Sequence, residues 1–100
     1  MNMEIIKTSE NGVVTLKIDG RIDTTTAPVL EKEIIAAAKE KNAIELDLNE
    51  VEYISSAGLR VLLTSHNMMS SRGGMKITGI NEDIEEIFEV TGFTDIFDIE

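Results

Sequence analysis

A chain of 100 residues, 42 % of them hydrophobic and 28 % charged, can bury one core but not two, so we expect a single folded domain over residues 1–100. Because cysteine is absent, disulfides and thiolate-bound metal ions are excluded. The net charge of −10 repels the phosphates of nucleic acids and anionic lipids, and we predict neither direct nucleic-acid binding nor membrane insertion.

The first elements predicted along the chain form a β-hairpin. An extended segment at residues 4–8 precedes Asn11-Gly12, the dipeptide most typical of a two-residue hairpin turn. Val14, Leu16 and Ile18 then alternate with polar residues, which is the period of a strand with one buried face.

A helix and a third strand are predicted next. The helix should run from Ala27 to about Lys41, with Thr26 as its cap and Pro28 in its first turn. The strand covers residues 44–48, where apolar and polar side chains alternate again. The helix positions predicted to be buried are Leu30, Ile34, Ala37 and Ala38.

A second helix should begin at Ser55 or Ser56, continue to about Ser71 and end through the glycines of segment 72–74. Its residues at helical spacing are Leu59, Leu62, Leu63 and His66. We interpret His66 as a half-buried packing residue.

The rest of the chain predicts a strand at residues 75–78, a third helix from Asn81 to Gly92 and a short last strand at 95–99. The core positions of this helix are Ile84, Ile87 and Phe88. The order β-β-α-β-α-β-α-β predicts a compact α/β domain. The strands each have one apolar face, which indicates a sheet covered on one side. We expect a mixed sheet of four to five strands with three to four helices mainly on one face.

Negative charge is concentrated at the end of the sequence. Residues 81–100 hold eight acidic residues and no basic one, whereas the first 80 residues are nearly balanced at 9 − 11 = −2. This distribution suits either a basic protein partner or a solvated acidic face. Since no signal peptide or membrane span is recognisable, we expect a cytoplasmic protein.

The segment Tyr-Ile-Ser-Ser-Ala-Gly-Leu-Arg at residues 53–60 does not fit a serine-hydrolase motif. A serine hydrolase elbow needs a glycine two residues before the nucleophile, where Ser56 has Ile54. His66, the single histidine, lies ten residues further along the same predicted helix, at about 15 Å by the helical rise. We therefore predict that the protein is not an enzyme.

Cofactor binding is not predicted either. The sequence has no phosphate-binding Gly-x-x-x-x-Gly-Lys-Ser/Thr motif, and one histidine without cysteine disfavours a transition-metal site. The sequence remains compatible with sites in which carboxylates bind hard cations such as Ca²⁺ or Mg²⁺.

The two adjacent serines can serve as a helix cap or as an acceptor of a phosphate. A serine at a helix start accepts a backbone N–H bond, worth about 1 kcal/mol. The same place favours an anion, because free amides and the helix dipole point at it, and Gly58 allows another backbone to approach closely. From these residues alone both interpretations remain open.

The sequence resembles the STAS-domain family, the anti-sigma factor antagonists (anti-anti-sigma factors) of bacteria, over nearly its whole length. The resemblance rests on the order and spacing of five segments: Gly20-Arg21-Ile22-Asp23, Thr26-Ala27-Pro28-Val29-Leu30, Leu46-Asp47-Leu48, Tyr53-Ile54-Ser55-Ser56-Ala57-Gly58-Leu59 and Gly92-Phe93.

This resemblance implies a regulator of transcription that acts by partner switching. The unphosphorylated antagonist binds an anti-sigma factor that is also a serine kinase of the GHKL type, which frees the sigma factor. The kinase then phosphorylates a serine of the antagonist, the complex separates, and a PP2C-like phosphatase removes the phosphate.

The family motif commonly reads Asp-Ser-Ser/Thr-Gly-Leu, with the modified serine directly after the Asp. Aligned on Gly58-Leu59, that serine corresponds to Ser56, whereas Ser55 replaces the Asp and Ala57 replaces the second hydroxyl. We therefore predict phosphorylation of Ser56, with Ser55 as the second choice.

The resemblance also implies that the loop at residues 22–26 and the start of the second helix contact the partner, with Asp23 in the place of the family's loop Asp. The predicted contact residues are Asp23, Thr24, Thr25, Thr26, Ser55, Ser56, Ala57, Gly58 and Arg60. An alternative is a STAS domain that serves as a constitutive interaction module, such as a lipid-transporter or signalling-complex subunit, and the missing Asp favours it.

Overall fold

A turn at Asn11-Gly12 joins the first two strands, β1 (Met3–Glu10) and β2 (Val13–Ile22), in the computed structural model, which describes residues 3–40 and 43–100. Both turn residues have positive φ, 51° and 79°, the combination that a type I′ turn requires. The strands pair antiparallel from Glu10 opposite Val13 onward, so the predicted hairpin is confirmed.

Parallel strands with crossover helices build the rest of the domain. The further elements are α1 (Ala27–Ala38), β3 (Ala43–Ile54), α2 (Ser56–Met69), β4 (Met75–Gly79), α3 (Glu82–Thr91), a 3₁₀ turn (Phe93–Asp95) and β5 (Asp98–Ile99). The sheet order is β1-β2-β3-β4-β5, and every pair after the hairpin is parallel. The predicted fold class, an α/β domain with a mixed sheet of four to five strands and three to four helices, is confirmed, and the described residues form five strands and three α-helices.

The alternating strand residues decide which face of the sheet is covered. On β2, Val14, Leu16 and Ile18 are fully buried, while Lys17 between them is exposed. The buried residues of all three helices join the same hydrophobic cluster as these strand residues. The sheet therefore packs its apolar face against the helices, because only that face carries apolar side chains at period two.

The predicted ends of α1 and α2 extend too far. Helix α1 ends at Ala38, and the expected end, Lys41, lies outside the described residues. Helix α2 ends at Met69, two residues before the expected end near Ser71, with a right-handed residue at its C-cap instead of a glycine. A further turn follows, and the Gly74 N–H donates to the Met69 carbonyl at 3.0 Å.

The buried stripe of α2 also differs from the prediction. Of the four expected residues only Leu62 is fully buried, whereas Leu59, Leu63 and His66 are half-buried. The buried positions are Gly58, Val61, Leu62, Ser65 and Met69. Helix α2 contacts α1 as well as the sheet, so two neighbours determine its orientation and its own apolar periodicity does not.

The last predicted strand is largely wrong. Three phenylalanine rings pack here, with Phe93 5.3 Å from Phe97 and both within 6.3 Å of Phe88 between ring centroids. This cluster requires a tight turn over Phe93–Asp95, so only Asp98–Ile99 remains extended. The caps of α3 are as predicted, with Asn81 accepting from the Ile84 N–H and Gly92 left-handed at φ 80°. Ile84 and Phe88 are fully buried, while Ile87 is half-buried.

Candidate functional site

The two segments singled out in the sequence meet at one edge of the sheet. Strands β2 and β3 are parallel neighbours and end side by side, with Ile22 opposite Ile54. The Ser55 N–H donates to the Ile22 carbonyl at 2.8 Å, which ties the start of α2 to the loop after β2. Since the carboxyl ends of parallel strands share an edge, both following loops and both helix starts are brought together.

The loop before α1 is organised by the Asp23 carboxylate. Its Oδ1 accepts hydrogen bonds from the backbone N–H groups of Thr25 and Thr26, both at 3.0 Å. The Thr26 N–H, and after it the Thr25 N–H, hold the pKa of Asp23 below its ordinary value, and these bonds outweigh the opposing effect of desolvation. Asp23 is therefore ionised at neutral pH and shapes the loop.

Thr26 is the N-cap residue of α1, as predicted, but its side chain makes no capping hydrogen bond to the helix. Its hydroxyl accepts from the Asp23 N–H and donates to the Arg21 carbonyl, both at 2.8 Å. The side chain points back into the loop, where only 2 % of the residue is exposed. Thr26 thus stabilises the loop through these two hydrogen bonds. Its side chain is not accessible to a partner.

The two serines at the start of α2 have different roles. Ser55 is the N-cap, in an extended conformation, and its Oγ accepts from the Gly58 N–H at 3.3 Å. Ser56 is the first residue of the helix and is exposed. The structure thereby resolves which serine caps the helix.

Gly58 lets the helix start lie directly against the ends of both strands. A Cβ atom at this position would be 2.7 Å from Ile22 Cγ2 and 2.9 Å from Ile54 Cγ2. Those distances are shorter than side chains tolerate, so the close approach depends on glycine. This packing places Ser56 beside the loop at residues 23–26.

A groove of about 410 Å³ lies between the first turns of α1 and α2. It is lined by Thr24, Ala27, Pro28, Glu31, Ser56, Ala57, Arg60 and Val61. Four of the predicted contact residues, namely Thr24, Ser56, Ala57 and Arg60, therefore share one concave surface. Asp23 and Thr25 adjoin it in the loop, whereas Gly58 is buried below it.

The α1 side of this groove was not predicted from the sequence. Pro28 and Glu31 line it from the first turn of α1, and Val61 adds to it from α2. The available signal was topological: two helices that follow adjacent parallel strands begin at the same edge, so their first turns face each other.

The described residues form neither a metal-ligand cluster nor a membrane-spanning helix. Within residues 3–40 and 43–100, no three His, Cys, Asp or Glu side chains are grouped as a metal site would need. No helix in these ranges has the length and apolar character needed to cross a bilayer. His66 is a half-buried packing residue, as expected, and meets Phe97 edge to face at 5.4 Å between ring centroids.

Comparison with known proteins identifies relatives that cover nearly the whole chain. The STAS-domain family model matches residues 4–100. The anti-sigma-B factor antagonist of Bacillus subtilis is 33 % identical over 99 % of this chain and 92 % of the relative. That of Listeria monocytogenes is 30 % identical over 99 % of this chain and 90 % of the relative.

A solved structure of an anti-sigma factor antagonist also has the same fold as this chain. The crystal structure of an anti-sigma factor antagonist from Mycobacterium paratuberculosis superposes with a TM-score of 0.88 at 26 % identity, covering 97 % of this chain and 84 % of that one. The similarity thus extends over the five-stranded sheet and the three helices.

Proposed function

The chain belongs to the STAS-domain family, and we propose that it is a cytoplasmic anti-sigma factor antagonist whose partner binding is switched off by phosphorylation of Ser56. Unphosphorylated, it binds an anti-sigma factor that is also a GHKL-type serine kinase. The Ser56 Oγ takes the γ-phosphoryl group of ATP, its proton is lost and ADP leaves. A PP2C-like phosphatase hydrolyses the phosphoserine and restores binding.

The different roles of the two serines carry this proposal. The Ser55 hydroxyl is half-buried and engaged as the cap, while Ser56 is exposed on the rim of the groove. A kinase must reach the hydroxyl that it modifies, which favours Ser56. Ser55 also fulfils the capping role that a carboxylate can play, so the replacement of the family's Asp leaves the helix start intact.

A phosphate on Ser56 is compatible with the fold but not with a closed interface. At the first residue of α2 it faces the positive end of the helix dipole, so the helix is not destabilised. It adds about −1.5 to −2 charges to a groove whose lining includes the apolar side chains of Ala27, Pro28 and Val61. Enclosing that charge under a partner costs several kcal/mol unless it is paired.

Peptide mapping and binding measurements together test the proposal. The protein is incubated with ATP and each purified GHKL-type kinase of its source organism, and the modified residue is located by mass spectrometry. We expect one phosphoryl group on Ser56, none in Ser56→Ala, and continued modification of the control Ser55→Ala.

Binding to the same kinase is then measured by calorimetry. Ser56→Glu should bind about a hundredfold more weakly than wild type, equivalent to about 2.7 kcal/mol, and Ser56→Ala should bind like wild type. A phosphate on Ser55 would overturn the assignment of the residue. Equal binding by wild type, Ser56→Ala and Ser56→Glu would favour the constitutive interaction module instead.

A further inference from the structure

Arg60 lies one helical turn beyond Ser56 on the same face of α2. The two residues are four positions apart, both are exposed, and both line the groove between α1 and α2. Side chains at this spacing lie with their Cβ atoms about 5–6 Å apart. A group attached to the Ser56 Oγ is therefore within reach of the long Arg60 side chain.

The Arg60 guanidinium is not engaged by the described part of the protein. The ion pairs within residues 3–40 and 43–100 join Lys7 to Glu40 and Lys76 to Glu100. Glu31 lines the same groove from α1, but it makes no ion pair with Arg60 within 4 Å. Arg60 is the one cation among the groove-lining residues, so it is the lining residue that can act as counter-ion to a new anion there.

We propose that Arg60 is the internal counter-ion of phosphorylated Ser56, an inference that rests on the proposed function. The guanidinium fork matches phosphate oxygens, and an anion four residues before a cation is the favourable order along a helix. Phosphorylation then acts twice on the binding surface. It adds negative charge at Ser56, and it withdraws the Arg60 cation from any acidic group of the partner.

The pairing is tested on protein that carries phosphoserine at position 56, incorporated during translation. The ionisation of the phosphate is followed by ³¹P NMR against pH in wild type, Arg60→Ala and Arg60→Lys. Because Arg60 stabilises the dianion, Arg60→Ala should raise the second phosphate pKa by about half a pH unit. Arg60→Lys should retain part of the lowering, since it keeps the charge without the fork.

Two controls make the result specific. Lys39→Ala removes the same charge at the far end of α1, where the residue is exposed, and should leave the phosphate pKa unchanged. The difference between wild type and Arg60→Ala should also shrink at 1 M salt, where charges are screened within about 3 Å.

Equal phosphate pKa values in wild type and Arg60→Ala would overturn the pairing, as would an equal rise in Lys39→Ala. The titration needs neither kinase nor partner. It therefore separates a failure of the Arg60 pairing from a failure of the Ser56 switch, which is judged by peptide mapping and partner binding. Circular dichroism confirms that each variant is folded, which we expect because Arg60 and Lys39 are exposed.

Discussion

Replacing Gly58 with alanine should destabilise the protein, although alanine is normally the better helix former. In an open helix the substitution would add about 1 kcal/mol of stability. Here the new Cβ would lie 2.7 Å and 2.9 Å from the Cγ2 methyls of Ile22 and Ile54, and 3.1 Å from the Ile22 carbonyl oxygen. Both isoleucines are buried and β-branched, so rotation about χ1 is restricted and their methyls have little room to move away.

The size of the effect follows from two opposing contributions. Forcing a methyl into a packed core costs about 1–3 kcal/mol, and at Gly58 a backbone oxygen is among the obstacles. We therefore expect a cost in the upper part of this range, about 2–3 kcal/mol, and after subtraction of the propensity gain of about 1 kcal/mol a net loss of about 1–2 kcal/mol. Such a loss lowers Tm by about 4–8 °C per kcal/mol in a domain of this size. The start of α2 should also shift away from Ile22.

Thermal unfolding and NMR measure the two consequences. The amide signals of Ser56 and of the loop at residues 23–26 should move in Gly58→Ala. The control Gly92→Ala has open space around its Cβ but a φ of 80°, so it should lose about 1 kcal/mol through backbone strain alone and leave the Ser56 signals unchanged. An unchanged or raised Tm for Gly58→Ala would refute the close-packing argument.

Two further predictions concern polar side chains that shape the ends of helices. Because the pKa of Asp23 is lowered in the folded state, its ionised form adds stability above about pH 4, and this stability is lost as the pH falls through the folded pKa. As the pH falls below about 4, the urea midpoint of wild type should therefore fall more steeply than that of Asp23→Asn, and parallel curves would contradict this. Asn81→Ala removes the cap of α3 and two bonds that the amide donates to the carbonyls of Asn49 and Val51, so urea unfolding should show a loss of about 2 kcal/mol. Asn81→Ser keeps a capping oxygen and should lose less; an equal loss would mean that the cap contributes nothing.

Much of the fold could be predicted because it depends on local chemistry. Asn11-Gly12 supplies the two positive φ angles of the hairpin turn by itself, and Asn81 and Gly92 mark the ends of α3 by their own hydrogen-bonding and conformational properties. The buried stripe of α1 agrees with the prediction in all four residues, since that helix buries the face that its own sequence makes apolar.

The predictions that failed concern segments whose conformation depends on contacts with distant parts of the chain. Most of the last predicted strand is a turn in the structure, because Phe93 and Phe97 pack on Phe88 from the preceding helix. Similarly, the orientation of α2 depends on contacts with α1 and on the close approach at Gly58. Neither contact is encoded in the periodicity of the segment itself.

The sequence by itself determined the order of strands and helices, and its motif around Ser56 indicated the family. It left open whether Ser55 or Ser56 caps α2, because both residues suit that position chemically. Only the tertiary structure decided this, since the bond from the Ser55 N–H to the Ile22 carbonyl holds Ser55 extended and leaves Ser56 exposed. The groove that joins Ser56 and Arg60 to Pro28 and Glu31 likewise exists only because β2 and β3 end side by side.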